Sequence, residues 1–135
     1  MIKIFSDGGA RGNPGPAASA FVVFNDQEKL HEENVYLGEA TNNVAEYNGV
    51  LQALTWLVEN NIKESIEFYL DSQLVVRQLE GRYKIKDEKL VKLSEDVKSL
   101  QRKHDFTIKW VHVLREKNKI ADGLLNEKLD NSSRL

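Results

Sequence analysis

Asp7, Glu46, Asp71 and Asp122 are the residues of this chain whose types and placement could do chemistry. Asp7 follows the apolar strand pattern of residues 2–6, Asp71 ends "IEFYLD", and Asp122 opens the helical pattern in "NKIADGLLNEKL". Positions 46, 50, 53 and 57 share one helical face, and the other three are Val50, Ala53 and Leu57, so Glu46 points toward whatever that face packs on. Taken singly, each acid has an ordinary use. Glu46 answers the helix dipole or closes a capping box with Asn43, Asp71 caps the next helix, Asp7 occupies a turn, and Asp122 satisfies the first turn of the last helix. Taken together they sit at strand ends and first helical turns beside core-forming residues, which a sheet gathers at one edge. Convergent carboxylates repel and require a compensating cation. With no cysteine in the chain and no paired histidines nearby, oxygen ligands select hard ions such as Mg²⁺ or Mn²⁺ over zinc. Two such ions about 3.5–4 Å apart and bridged by a carboxylate form a device for phosphoryl transfer.

The elements that must position these acids are legible as changes of period. Residues 2–6, the β-branched and aromatic "ASAFVVFN" (18–25) and the shorter "ENVYLG" (33–38) read as three strands joined by turns, an antiparallel start. From Asn43 the spacing of Val50, Ala53, Leu54 and Leu57 predicts a helix, with Asn42 or Asn43 as its cap. "SIEFYLD" is a fourth strand, and "SQLVVRQLEG" a short helix ended by Gly81. Residues 87–103 are a longer helix with Leu90, Leu93, Val97 and Leu100 aligned, "FTIKWVHV" a fifth strand, and residues 120–129 a last helix. The order β-β-β-α-β-α-α-β-α predicts an α/β fold, a mixed sheet flanked by helices, with no linker long enough to divide it.

Composition bounds the partners. The chain has 135 residues, 41% hydrophobic, enough for one core. Charged residues make up 30% but the net charge is −2, so no global basic field advertises nucleic acid or an anionic membrane, and any such binding is local. The absence of cysteine excludes disulfides, a thiolate metal site and a cysteine nucleophile, and fits a reducing cytosol. No leader pattern opens the chain and no stretch approaches the roughly eighteen apolar residues of a membrane span, so a soluble, cytoplasmic, unprocessed protein is expected. "GGARGNPG" is not a nucleotide-phosphate loop, because no Gly-Lys-Ser/Thr follows it and the next element is a strand.

"DGGARGNPGPA", "TNNVAEY", "YLDSQLVVRQLEG" and "WVHVLREKNKIADGLLNEKLD" occur in this order, and with them the chain resembles type 1 ribonuclease H over nearly its whole length. The resemblance implies an α/β ribonuclease H-like fold with a five-stranded mixed sheet, its first three strands antiparallel, and a single catalytic domain over residues 1–135. It implies an endonuclease that hydrolyses the RNA strand of an RNA/DNA hybrid with two Mg²⁺ ions, Mn²⁺ being the alternative, and leaves 5′-phosphomonoesters. By the same likeness the catalytic, metal-holding acids are Asp7, Glu46, Asp71 and Asp122. Asp7 would be shared between the ions, Glu46 and Asp71 would serve one, and Asp122 the other. Asn13, Asn42, Asn43 and the backbone at Gly8 and Gly9 match positions that meet the 2′-hydroxyls of RNA along its shallow minor groove. Thr41, which alone reads as a helix cap, matches a residue that holds a phosphate of the DNA strand, and Asn118 matches a position just before the last helix, where it would cap that helix, order the loop and belong to the substrate-binding set. The expected partner is the hybrid, with double-stranded RNA as a further candidate, no membrane, and a monomeric chain.

The sequence also departs from that family. Many relatives carry a basic protrusion between the second and third helices, where this chain has only "GRYKIKDEK", a modest patch of Arg82, Lys84, Lys86 and Lys89. Weaker hybrid binding with stronger salt sensitivity is expected. A mobile histidine before the last acid is also missing. His112 falls inside the last strand pattern and reads as structural, and His31 and His104 lie in polar stretches. Arg115 is the nearest substitute, a cation in the right loop that either meets a phosphate or pairs with Glu116 or another neighbour. The competing function is a non-catalytic or weakly active module that binds RNA/DNA hybrid or double-stranded RNA on the same fold, against which stands the retention of all four acids.

Overall fold

The computed structural model describes residues 1–132. Its strands are β1 (Ile2–Ala10), β2 (Gly15–Asn25), β3 (Glu28–Ala40), β4 (Ile66–Leu70) and β5 (Ile108–His112). Its helices are α1 (Asn42–Glu59), α2 (Gln73–Leu79), α3 (Glu88–Lys103) and α4 (Lys119–Ser132), with a 3₁₀ turn at Arg115–Lys117. The strands form one sheet in the order β3-β2-β1-β4-β5, antiparallel from β3 to β1 and parallel from β1 to β5. This is the five-stranded mixed sheet expected.

Strand alternation divides the core between two faces. Ile2, Ile4, Phe21, Val23, Phe68 and Leu70 join one cluster with Val50, Ala53, Leu54 and Leu57 of α1, and with Val97 of α3. On the other face Ala18 and Ala20 lie under Leu125 and Leu129 of α4. Two alanines leave that part of the sheet flat, which lets α4 lie close to β1 and β2 and brings Asp122 with it.

Several boundaries differ from those expected. β1 does not stop before Asp7 but runs to Ala10, so only residues 11–14 form the bend before β2. β3 spans Glu28–Ala40, well beyond 33–38, because it is an edge strand whose charged residues face water and hide the alternation. The cap of α1 is neither Asn42 nor Asn43 but Thr41, whose Oγ1 accepts from Val44 N at 3.2 Å. The cap of α2 is Ser72, accepting from Val75 N at 3.3 Å, which leaves Asp71 out of the capping role. Gly81, at φ 81°, ends α2 as expected. Residues 80–87 then form a short connection to α3, with no extra helix and no protrusion. Among the described residues no helix is long and apolar enough to cross a membrane.

Candidate active site

The parallel pairing of β1 with β4 ends at Phe5↔Tyr69, while β1 continues along β2 as far as Ala10. Asp7 therefore lies in the strand, opposite Ala20, but beyond the end of β4, where Asp71 emerges after Leu70. The third acid arrives because α1 crosses this end at very short range. A Cβ on Gly8 would collide with the Ala45 carbonyl and the Glu46 amide, so only glycine permits the approach. One carboxylate oxygen from each of Asp7, Glu46 and Asp71 lies within 4.8 Å of the others. Asp7 and Glu46 are buried and Asp71 half-buried. Asp122, from the first turn of α4, opens onto the same cleft of about 480 Å³.

The electrostatics are those of an unneutralised cluster. Burial first, and the neighbouring charge of Asp71 second, push the Asp7 carboxyl up to about 7, against hydrogen bonds from Glu46 and the Gly8 amide. Burial and then the Asp7 charge hold Glu46 well above the ordinary carboxylate range. Burial also raises Asp71, opposed by the Asn118 amide and by the nearby charges of Arg115 and His112. Glu46 Oε2 is buried with no hydrogen-bond partner among the described residues. An orphaned carboxylate oxygen amid mutually repelling, oxygen-only donors is what a hard divalent cation satisfies, so the residues fit such an ion.

The sign of the pH dependence follows. In a chelating buffer the folded chain keeps protons on Asp7, Glu46 and Asp71 that the unfolded chain releases near pH 4, so the stability contributed by these groups is full below about pH 4 and is lost as pH rises, for Asp7 through about 7. Thermal melting with chelator near pH 5 and near pH 8 checks this. The melting temperature should be lower near pH 8, and Mg²⁺ should recover much of the difference.

Residues 5–128 match the family model "Reverse transcriptase-like". A bifunctional protein of Mycobacterium tuberculosis is 39% identical over 96% of this chain, which spans only 35% of that relative. A ribonuclease H of Hyphomonas neptunium is 33% identical, and the match covers 96% of this chain and 93% of the relative. The crystal structure of LC11-RNase H1 in complex with an RNA/DNA hybrid superposes with a TM-score of 0.93 at 39% identity, covering 98% of this chain and 99% of that one. The chain belongs to the type 1 ribonuclease H family.

Within this ribonuclease H frame the remaining expected residues fall into three groups. Arg115, Asn42 and Asn43 line the acidic cleft, and Arg115 makes no ion pair with Glu116 among the described residues. Asn13, Thr41 and Asn43 line an adjoining groove of about 840 Å³ together with Lys89. Asn13 and Asn42 also fasten the bend to α1, since Asn13 Oδ1 accepts from Asn42 N at 3.0 Å and Asn42 Oδ1 accepts from Ala10 N at 2.8 Å. Gly8 and Asn118 are buried. The Gly8 N–H is committed to Asp7 Oδ1 at 2.9 Å, while Gly9 lies against Leu125 and Asn42. Asn118, 1% exposed, donates through Nδ2 to Ser6 O at 2.8 Å and to Asp71 Oδ2 at 3.4 Å while its Oδ1 has no partner among the described residues, so it braces the acids from behind and its side chain neither faces the cleft nor caps α4 as expected.

Two neighbours of the site were not placed there from the sequence, His112 because its strand pattern reads as structural and Asn126 because it was not singled out. His112, opposite Leu70 in the β4–β5 ladder, comes close enough to Asp71 to lower its pKa, a proximity that register shows and sequence distance does not. Asn126 lies on α4 one turn after Asp122 and lines the cleft, and its spacing of four residues from that acid was the available signal.

Proposed function

We propose that this chain is a metal-dependent endonuclease that hydrolyses the RNA strand of RNA/DNA hybrids and leaves 5′-phosphates, with residues 1–135 as the catalytic domain. The observation that carries the reading is the meeting of Asp7, Glu46 and Asp71 within 4.8 Å in a cleft that Asp122 shares. Asp7, Glu46, Asp71 and Asp122 would hold two Mg²⁺ ions, with Mn²⁺ the alternative. When bound, these supply activation of a water at one side of the phosphate and stabilisation of the leaving oxygen at the other. Asp7 lies centrally in β1, which suits the shared ligand. Asn118 keeps Asp71 from turning away. Arg115 gives the cleft a cation for the scissile or neighbouring phosphate, and Asn42 and Asn43 offer amides at the cleft's rim for 2′-hydroxyls. Thr41 and Asn13, in the adjoining groove, suit the phosphates of the DNA strand and the neighbouring sugar edge. The LC11-RNase H1 structure, which holds an RNA/DNA hybrid, supports the choice of substrate.

A panel of RNA/DNA hybrid, double-stranded RNA and double-stranded DNA, each with Mg²⁺ and with Mn²⁺, tests the reading. Cutting of the hybrid's RNA strand and intact double-stranded DNA are expected. Binding of the hybrid without cutting under either metal would establish the non-catalytic module instead. Arg115→Ala should lower kcat/KM on the hybrid about tenfold, the scale of one charge-assisted phosphate contact. With one fewer phosphate contact it should also flatten the salt dependence of binding.

A further inference from the structure

Asp7 and Glu46 are held in place by burial, and half-buried Asp71 by the Asn118 amide; Asp122 has neither. It stands outside the 4.8 Å cluster and is only half-buried, so something else must fix its carboxylate. Asn126 donates through Nδ2 to the Asp122 carbonyl at 2.9 Å and to Asp122 Oδ1 at 3.3 Å. On its other side Asn126 Oδ1 accepts from Arg11 Nη2 at 3.5 Å. The same guanidinium nitrogen pairs with Asp130 one turn further along α4. Arg11 belongs to the bend that follows β1, and Asp122, Asn126 and Asp130 form one stripe of α4 at spacings of four residues.

The chemistry of this arrangement is selective. A guanidinium has only donors and an ionised carboxylate only acceptors, so a side chain joining them must accept at one end and donate at the other. An amide does this, and the arginine dictates which way it faces: its oxygen toward Arg11, its NH₂ toward Asp122. Asparagine has no helix propensity to recommend it inside a helix, which leaves the contact as its use. Asp130 in turn holds the arginine in place.

We propose that Asn126, oriented by Arg11, is a positioning residue that presents the Asp122 carboxylate to the metal centre, an inference that rests on the metal-dependent reading above. Asn126 anchors one Asp122 oxygen, so the carboxylate meets an ion in a set orientation instead of sampling rotamers at the cleft's rim. Partners of metal ligands placed this way are worth about ten- to a hundredfold in metal affinity or activity.

The test uses the full chain as wild type, Asn126→Leu, Asn126→Gln, Arg11→Met and the double variant Arg11→Met with Asn126→Leu. Binding of Mg²⁺ is measured by calorimetry, and the Mg²⁺ concentration for half-maximal hybrid cleavage is read alongside it. Asn126→Leu should weaken Mg²⁺ binding about tenfold and shift half-saturation equally, with the chelated melting temperature unchanged. Arg11→Met should do so by about threefold, and the double variant should be no worse than Asn126→Leu alone. Asn126→Gln keeps an amide that reaches an acid four residues back, and should restore binding to within about twofold. Wild-type affinity in Asn126→Leu overturns the proposal, as does an Asn126→Gln as weak as Asn126→Leu, because packing and not the donor would then matter. A wild type that neither binds Mg²⁺ nor cuts the hybrid would sink the nuclease reading and the relay with it. A wild type that does both while Asn126→Leu matches it would sink the relay alone.

Discussion

Asp7→Asn should yield a protein that is more heat-stable than the wild type in chelator near pH 8, yet about a thousandfold slower on an RNA/DNA hybrid in Mg²⁺. Both effects have one origin. Asp7 is 5% exposed and its carboxyl is pushed up to about 7 by burial and by Asp71, so ionising it near pH 8 works against the fold. The amide keeps the shape and removes that charge, along with the repulsion it exerts on Glu46 and Asp71. Relief on the order of 2 kcal/mol corresponds to a rise of about 5 °C for a chain of this size. The loss of rate follows from removing the carboxylate proposed to serve both ions, and a thousandfold is about 4 kcal/mol of transition-state stabilisation. Differential scanning calorimetry with and without Mg²⁺, paired with a cleavage assay on the same preparations, checks both halves. A variant that is less stable than wild type in chelator would show that the cluster is not under electrostatic strain.

Gly8→Ala should lower the melting temperature by about 10 °C and leave little activity, although it adds a single methyl group. The Gly8 Cα lies against the first turns of α1, and an added Cβ would meet the backbone of Ala45 and Glu46, which no side-chain rotation relieves. Helix and strand must part. Overpacking of this kind costs about 3 kcal/mol, and the displaced segment carries Glu46. Gly123→Ala is the matched control. Nothing lies within 4 Å of a Cβ at Gly123, and alanine favours its helix by about 1 kcal/mol, so that variant should melt slightly higher than wild type. Circular dichroism melts of the two variants side by side decide the matter.

The order of elements was legible because hydrophobic period changes cleanly along the chain, as at "NVAEYNGVLQAL" and again at "IEFYL". The four acids could be singled out because in the sequence each stands beside core residues where one hydrophobic pattern gives way to the next or in a first helical turn, although Asp7 proves to lie within β1, which runs to Ala10. What the sequence concealed depends on contacts between distant segments. Thr41 and Ser72 take the caps for which Asn42, Asn43 and Asp71 compete equally well by type, and only the backbone path decides among them. The bend after Asp7 is bare for two reasons that composition alone cannot separate. Gly8 admits α1 from inside, whereas Gly12, at φ 99°, turns the chain. Arg11, the bend's one long side chain, is explained only by residues of α4, far along the chain. Asn118 likewise reads as a residue of the loop until Ser6 and Asp71 are seen to be its partners.

The central claim is that the clustered carboxylates cut RNA paired with DNA. Its most direct measurement is gel-resolved cleavage of an RNA/DNA hybrid, labelled separately on each strand, by wild type and by Asp71→Asn in Mg²⁺ and in chelator. The account predicts short RNA fragments bearing 5′-phosphates, an intact DNA strand, no cutting in chelator, and an Asp71→Asn rate lower by about a thousandfold. An Asp71→Asn protein that cuts the hybrid as fast as wild type would contradict it.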